Sequence, residues 1–290
     1  MFLNSILVVV TNLAAGLLGN ASFRRHFHLL LSGLVLFGPA LSLWVSQYSI
    51  FANKSHYLYR KFLQSGWGWT CVFVGSFVFL LYFSVRQSLA LSLRHLSRLL
   101  TAGLLWTGFR RALSLLENAT GSCYEPLSSS LGGQLPQGLS GAGSGAGLGA
   151  GQALLLLREG ETKATCLKSG LLWRGYEVSE DAFLLCLCCL LLAEETAVFG
   201  PYLALGGPSG APLRLLFLFC VFLLGLWVFL LLCLLAHFPQ FPTQLLGGAL
   251  GCLGWRSLYQ GWYRMGPSWY CPGRPGVGLL TTAEKARERT

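Results

Sequence analysis

Charged residues are scarce in this 290-residue chain, where they make up 11% of the sequence against 53% hydrophobic residues. Soluble domains carry about 25% charged residues, so the shortage excludes an ordinary soluble fold. Because most of the chain is needed for apolar segments, a large soluble catalytic domain is excluded as well. The composition predicts an integral membrane protein.

Several signatures of other protein classes are absent from the sequence. The glycine-rich tract at 138–151 lacks the Lys-Ser/Thr pair of a phosphate-binding loop and instead predicts a flexible insert. The five histidines show neither zinc spacing nor a Ser/His/Asp arrangement, so no metal or cofactor is expected. No basic patch is interleaved with aromatic residues in a soluble setting, so nucleic acid is not an expected partner. No inverted repeat supports a carrier.

The chain contains seven long apolar stretches. They lie at about 2–18, 29–47, 66–85, 99–117, 181–200, 213–236 and 243–263. Their lengths predict an all-α, polytopic membrane helix bundle. The first stretch is short and carries polar residues, so the N-terminal segment 1–28 is either a re-entrant helix or an extra span. We therefore expect six transmembrane helices, or seven if this segment crosses the bilayer.

The distribution of Lys and Arg predicts the orientation of the bundle, and the net charge of +10 fits cytoplasmic loops next to anionic headgroups. Arginines are concentrated in the 86–98 connection and in the tail at 266–290, so both are expected on the cytoplasmic side. The long connection at 118–180 is then lumenal. The basic residues of the 48–65 connection argue against this orientation.

Two features of the long connection favour a lumenal position. Asn118 begins an N-glycosylation sequon. Cys123 and Cys166 flank the most flexible part of the connection, and in an oxidising compartment they could form a disulfide. Two unpaired thiols are the alternative.

Two adjacent acids, Glu194 and Glu195, follow the apolar residues of the fifth stretch and are expected near its cytoplasmic end. Carboxylates in such a segment are costly and need a reason. One hypothesis is a polar site that binds the head group of a ligand, with one acid protonated or paired. The alternative is that the acids reach the interface or pair with a cation such as Arg98 or Arg214.

The opposite, lumenal end of the same stretch offers Asp181. Its simplest interpretation is an acid that complements the dipole at a helix start. The alternative is a phosphoryl acceptor or general base. His237 ends the sixth stretch just before two prolines, which places it at the same membrane surface, where an acid and an imidazole could do acid/base work. An interfacial histidine without a catalytic role is the other interpretation.

Several blocks, read in order, resemble one known family, the fat storage-inducing transmembrane proteins, and in particular their type 1 branch. The resemblance covers residues 29 to about 265. The blocks are WGWTC at 67–71, RHLSRL at 94–99, TGSCYEPL at 120–127, WRGY at 173–176, AEE at 193–195, GAPLRL at 210–215 and FLLLC at 229–233.

The resemblance implies a multi-pass protein of the endoplasmic reticulum membrane that promotes lipid-droplet formation and triacylglycerol storage. It also implies binding of diacylglycerol and triacylglycerol and a relationship to lipid phosphatases. The type 2 branch cleaves fatty acyl-CoA at its diphosphate, so acyl-CoA is a further candidate ligand. The implied lipid-binding residues are Phe183, Leu184, Leu185, Glu194 and Glu195.

The chain departs from the family at its two lumen-facing histidines. Their positions fall on Asp181 and Pro239, and His237 lies two residues before the second of them. Proline cannot transfer a proton, and a two-residue offset rotates a helical side chain by about 200°. The sequence therefore predicts weak or absent phosphatase activity. The alternative is an active fatty acyl-CoA diphosphatase that uses Asp181 and His237 in a rearranged site.

Overall fold

The computed structural model describes residues 2–45, 50–53, 56–86, 89–126, 155–158, 162–238, 240–266 and 271–280. The predicted glycine-rich insert at 138–151, Pro239 and residues 281–290 of the tail lie outside the described residues. In the described ranges the chain forms nine α-helices and one small sheet. The helices are α1 (Phe2–Gly19), α2 (Ala21–Phe37), α3 (Gly66–Arg86), α4 (Leu89–Thr120), α5 (Lys163–Lys168), α6 (Glu180–Ala197), α7 (Phe199–Ala204), α8 (Ala211–His237) and α9 (Phe241–Arg256).

Every apolar stretch that the sequence predicts to cross the membrane is largely helical in the structure, which confirms a membrane helix bundle. Four segments of the described chain are long and apolar enough to cross a membrane, namely Ala21–Leu43, Gly66–Ser84, Glu180–Ala204 and Ala211–His237. The total of six spans stays a prediction. The helix boundaries differ from those expected at two places: α2 begins at Ala21 rather than at residue 29, and α4 includes most of the predicted 86–98 connection.

The chain divides into two compact units, one of residues 1–108 and 178–290 and the other of residues 109–177. The larger unit holds the helices that are apolar enough to cross a membrane.

Helix α6 is the central helix of the larger unit. The protein buries 94% of its most apolar window, against 39% for the corresponding window of α8 and 22% for that of α2. Because α6 is apolar all round, it can be enclosed by its neighbours. The Ser179 hydroxyl caps it by accepting a hydrogen bond from the Ala182 amide (3.2 Å).

Glycines let α9 approach α6 at backbone distance. A Cβ atom at Gly247 would overlap the carbonyl oxygen of Ser179, and one at Gly251 would lie 2.6 Å from the carbonyl oxygen of Phe183. Small residues at such spacing are typical of close helix pairs in membranes. The first helix is held similarly, since a Cβ at Gly200 would overlap the carbonyl oxygen of Ala15.

The smaller unit adds a sheet to the predicted all-α fold. Its central strand β1 (Ser122–Pro126) pairs antiparallel with β2 (Leu155–Arg158) and β3 (Leu172–Arg174). A disulfide joins Cys123 to Cys166, with their Cα atoms 5.9 Å apart. The described part of the expected 118–180 loop is therefore a cross-linked small fold, and Asn118 lies in the exposed last turn of α4.

Candidate functional site

A buried ion pair lies at the C-terminal end of α6. The Glu195 carboxylate accepts two hydrogen bonds from Arg98 of α4, from Nε to Oε1 (2.7 Å) and from Nη2 to Oε2 (2.8 Å). The Tyr259 hydroxyl donates a third to Oε1 (2.7 Å). Glu195 and Arg98 are only 2% and 0% exposed. Both carboxylate oxygens are thus bound by protein donors, which is what a buried charge requires.

The same arginine holds a neutral histidine beside the ion pair. Arg98 Nη1 lies 2.6 Å from Nδ1 of His95, and Nε2 of His95 lies 3.2 Å from the carbonyl oxygen of Val277. An arginine can only donate, so Nδ1 accepts and the Nε2 proton faces the carbonyl. Burial, followed by the charge of Arg98, lowers the pKa of His95 to about 3. His95 is therefore neutral and links Arg98 to the carbonyl oxygen of Val277.

Residues 271–280 are fastened to this cluster. The Arg94 guanidinium donates to the carbonyl oxygen of Cys271 (3.2 Å), and the Gly276 amide donates to the Tyr82 hydroxyl (2.8 Å). The Tyr82 ring stacks on His95 with 3.7 Å between centroids. The part of the tail that the structure describes thus completes the cluster around Arg98.

Glu194 has different surroundings from its neighbour. Its Oε2 accepts a hydrogen bond from Arg24 of α2 (3.1 Å), and its Oε1 lies 3.8 Å from Nε2 of His28. The side chain is 18% exposed and lines a cavity. Of the two acids, Glu194 is the one that can meet a ligand.

The N-terminal end of α6 carries the other candidate residues. The Ser179 amide donates to the Thr243 carbonyl oxygen of α9 (3.1 Å). The next residue, Gln244, donates to the Phe238 carbonyl oxygen (2.6 Å) at the end of α8. These bonds place Asp181, which is exposed, and His237, which is half-buried, at the same end of the bundle. The family position at Pro239 lies outside the residues that the structure describes.

The hydrophobic candidates Phe183, Leu184 and Leu185 lie inside the bundle. They are 2%, 4% and 1% exposed, and the Phe183 ring stacks on Trp106 with 5.8 Å between centroids. At 1.5 Å per residue, the 14 residues from Asp181 to Glu195 separate the two ends of the site by about 21 Å. The acid pair and the Asp181–His237 end therefore form two separate candidate sites.

Sequence reasoning included Arg98 among the possible partners of the acids, whereas Arg214 instead donates to Asn12 (3.1 Å) and to the hydroxyl of Ser209 (2.8 Å). It did not identify Arg24, Tyr259 or the 271–280 segment. One signal was available, because an arginine such as Arg24 at the edge of an apolar stretch needs a counter-ion.

The fold and the two ends of α6 define the class: a multi-pass α-helical membrane protein whose central helix carries a paired acid at one end and acid and imidazole groups at the other. The family model for fat storage-inducing transmembrane protein matches residues 47–205. The chain belongs to the fat storage-inducing transmembrane protein family.

Curated relatives cover nearly the whole chain. The fat storage-inducing transmembrane protein 1 of Danio rerio is 76% identical over 99% of this chain and 96% of its own length. The human protein of the same description is 44% identical over 95% of this chain and 85% of its own length. The Xenopus tropicalis acyl-coenzyme A diphosphatase FITM2 is 29% identical over 93% of this chain and 92% of its own length. No solved structure matches.

Proposed function

We propose that this protein promotes lipid-droplet formation and triacylglycerol storage in the endoplasmic reticulum membrane, binding diacylglycerol and triacylglycerol with little or no hydrolysis. The observation that carries the proposal is the 76% identity to a fat storage-inducing relative along 99% of the chain. The membrane bundle supports it, because apolar spans place the protein where neutral lipid is dissolved.

Binding of neutral lipid is assigned to the outside of the bundle and to Glu194 rather than to the interior of α6. The interior is filled by the protein's own side chains, including Phe183. On the outer face of α8, Phe219 and Phe222 are 50% and 69% exposed, which suits acyl chains. Glu194 supplies the polar contact for a glycerol hydroxyl, while Glu195 braces the helices.

The low hydrolytic activity follows from the side chains at the N-terminal end of α6. One family histidine position holds Asp181, a carboxylate in the first turn of a helix, and the other holds a proline. A carboxylate is a weak proton shuttle near neutral pH because its ordinary pKa is about 4. The nucleophile and its acid/base partner are both missing in their usual form.

A second candidate function is acyl-CoA diphosphatase activity through Asp181 and His237. It is favoured by the hydrogen bonds of Thr243 and Gln244, which hold the start of α6 and the end of α8 together. The relative named as an acyl-coenzyme A diphosphatase, at 29% identity, also favours it. In this alternative Asp181 attacks one phosphorus of the diphosphate and the bond from that phosphorus to the bridging oxygen breaks. His237 protonates the leaving oxygen, and water then hydrolyses the aspartyl phosphate.

The test uses the purified full-length chain with two assays, hydrolysis of a fatty acyl-CoA and saturable binding of labelled diacylglycerol. We expect binding without turnover. Asp181→Ala and His237→Ala serve as matched variants and should leave both results unchanged. Turnover in the wild type that disappears in either variant would reject the non-enzymatic proposal in favour of the diphosphatase. Absence of saturable diacylglycerol binding would reject neutral-lipid binding.

A further inference from the structure

A cationic cavity lies at the C-terminal end of α6, on the opposite end of the helix from Asp181. Its volume is about 360 Å³. The residues that matter for its chemistry are Arg24, Glu194, Trp255, Tyr259, Arg264 and Arg274, all of which line it.

The charges around the cavity do not balance. Three arginines face one carboxylate, and Glu194 is bound by Arg24 at 3.1 Å. Arg264 and Arg274 are exposed, and within the described ranges no carboxylate pairs with either of them. The lining therefore carries an excess of two positive charges over the internal ion pair, which attracts an anion.

Two hydrogen-bond donors of the lining are buried without an acceptor. Nε of Arg24 and Nε1 of Trp255 have no hydrogen-bond partner among the residues that the structure describes. Trp255 is only 3% exposed, and its ring is fixed against His28 with 4.4 Å between centroids. A buried donor without a partner costs roughly 1–3 kcal/mol. Both side chains line the cavity, which makes a bound ligand the candidate acceptor.

The cavity lies beside the ends of two helices. Arg24 is in the first turn of α2, and Glu194 is in the last turn of α6. Arginine and tryptophan, which both line the cavity, are residue types that are common where membrane helices meet the headgroup layer. Arginine forks bind phosphate oxygens by two parallel hydrogen bonds.

We propose that this cavity binds a phosphomonoester, supplied by the headgroup of an anionic membrane lipid. Arg264 and Arg274 hold the phosphate oxygens, and Arg24 and Trp255 donate the two unused N–H groups. The dianionic charge of a monoester matches the two excess arginines, whereas the phosphodiester of a zwitterionic lipid leaves them uncompensated. The site goes beyond neutral-lipid storage and does not depend on the Asp181–His237 end.

The test is lipid retention by the full-length protein in nanodiscs, read by native mass spectrometry. The nanodiscs contain phosphatidylcholine with phosphatidic acid, or with phosphatidylserine as an anionic phosphodiester. Wild type should retain phosphatidic acid in preference to phosphatidylserine. The double variant Arg264→Gln/Arg274→Gln should weaken retention at least about tenfold, because each lost bond to a charged group has a large effect.

The matched control removes the same charge at arginines that do not line the cavity, Arg25 and Arg256, both of which are exposed. Arg25→Gln/Arg256→Gln should retain phosphatidic acid as wild type does. An equal loss in this control would show diffuse surface attraction and overturn the site. Trp255→Phe keeps the ring but loses the donor, so it should weaken retention several-fold even if the arginine pair proves unstable.

The source of the phosphate is decided by competition. Inorganic phosphate added at the same concentration as phosphatidic acid should not displace the lipid from the wild type. Full displacement would assign the cavity to a soluble phosphate and reject the lipid. Equal retention of phosphatidylserine would reject the monoester. The acyl-CoA assay is independent of these results because Asp181 and His237 lie at the other end of α6, and diacylglycerol binding is measured on the wild type in the absence of phosphatidic acid.

Discussion

At the C-terminal end of α6 a buried ion pair joins helices through charged side chains, whereas at the N-terminal end the backbones of α6 and α9 touch directly. The first end depends on Glu195 and Arg98, both nearly inaccessible. The second depends on Gly247, and its ionisable residue Asp181 is exposed. The two ends of one helix are therefore held to their neighbours by different kinds of contact. Because Asp181 is exposed, the side chain at this position can change without disturbing the packing.

The largest effect is expected where the ion pair is broken. Arg98→Met leaves the Glu195 carboxylate buried without its partner, which costs roughly 3–5 kcal/mol of the free energy of unfolding. The loss should appear as a strongly reduced melting temperature of the purified protein in detergent.

Two companion variants sharpen this result. The double variant Arg98→Met/Glu195→Leu removes both charges and should recover part of the loss, since apolar residues can replace a buried pair. Arg256→Met alters an exposed arginine and should change stability by less than about 0.5 kcal/mol. If Arg98→Met were as mild as Arg256→Met, the ion pair would not stabilise this end.

A smaller effect is expected at the backbone contact. Gly247→Ala places a methyl group on the Ser179 carbonyl oxygen, so α9 must move away from α6, at a cost of about 1–3 kcal/mol. The matched control is Gly225→Ala in α8, where a Cβ meets nothing within 4 Å. The control should be neutral or stabilising, because alanine favours helix more than glycine does. Equal melting temperatures for the two variants would contradict the close contact.

The smallest effect concerns pH. His95 has a pKa of about 3 in the folded protein and about 6.5 when unfolded. The unfolded chain therefore takes up a proton as the pH falls below 6.5, while the folded protein does not. The contribution of neutral His95 to the free energy of unfolding is therefore complete above pH 6.5 and is lost as the pH falls toward 3. Between pH 7 and pH 5.5 the free energy of unfolding should fall by about 1 kcal/mol.

Comparison with His95→Gln isolates this contribution, because the amide keeps one acceptor and one donor but does not titrate in this range. The groups that face His95 are Arg98, Arg94 and the stacked Tyr82. None of the three changes charge between pH 7 and pH 5.5. The melting temperature of the wild type should fall more than that of His95→Gln between pH 7 and pH 5.5. An equal fall in the two proteins would show that His95 is protonated in the folded state.

The apolar helices could be predicted from the sequence because length and hydropathy are local properties. The sequence limited the partner of Glu195 to a few cations but did not identify it. Arg98 is 97 residues away in the chain, and the choice between Arg98 and Arg214 depends on how the helices pack. The small sheet was not expected, because β1 and β2 are short and pair across a long insertion. Arg24 was not connected with the acids, because the sequence boundary placed it outside the first span.

The fastening of residues 271–280 to Arg94, Tyr82 and His95 has a consequence for biosynthesis. A ribosome delivers Arg98 long before Glu195, and the carbonyl of Val277 emerges last of all. Until the 271–280 segment is synthesised, Arg94 and His95 lack the carbonyl acceptors of Cys271 and Val277. A chain cut before Cys271 therefore keeps the Arg98 and Tyr259 donors of Glu195 but loses the carbonyl groups that Arg94 and His95 contact, so this segment is the last part of the cluster to be added.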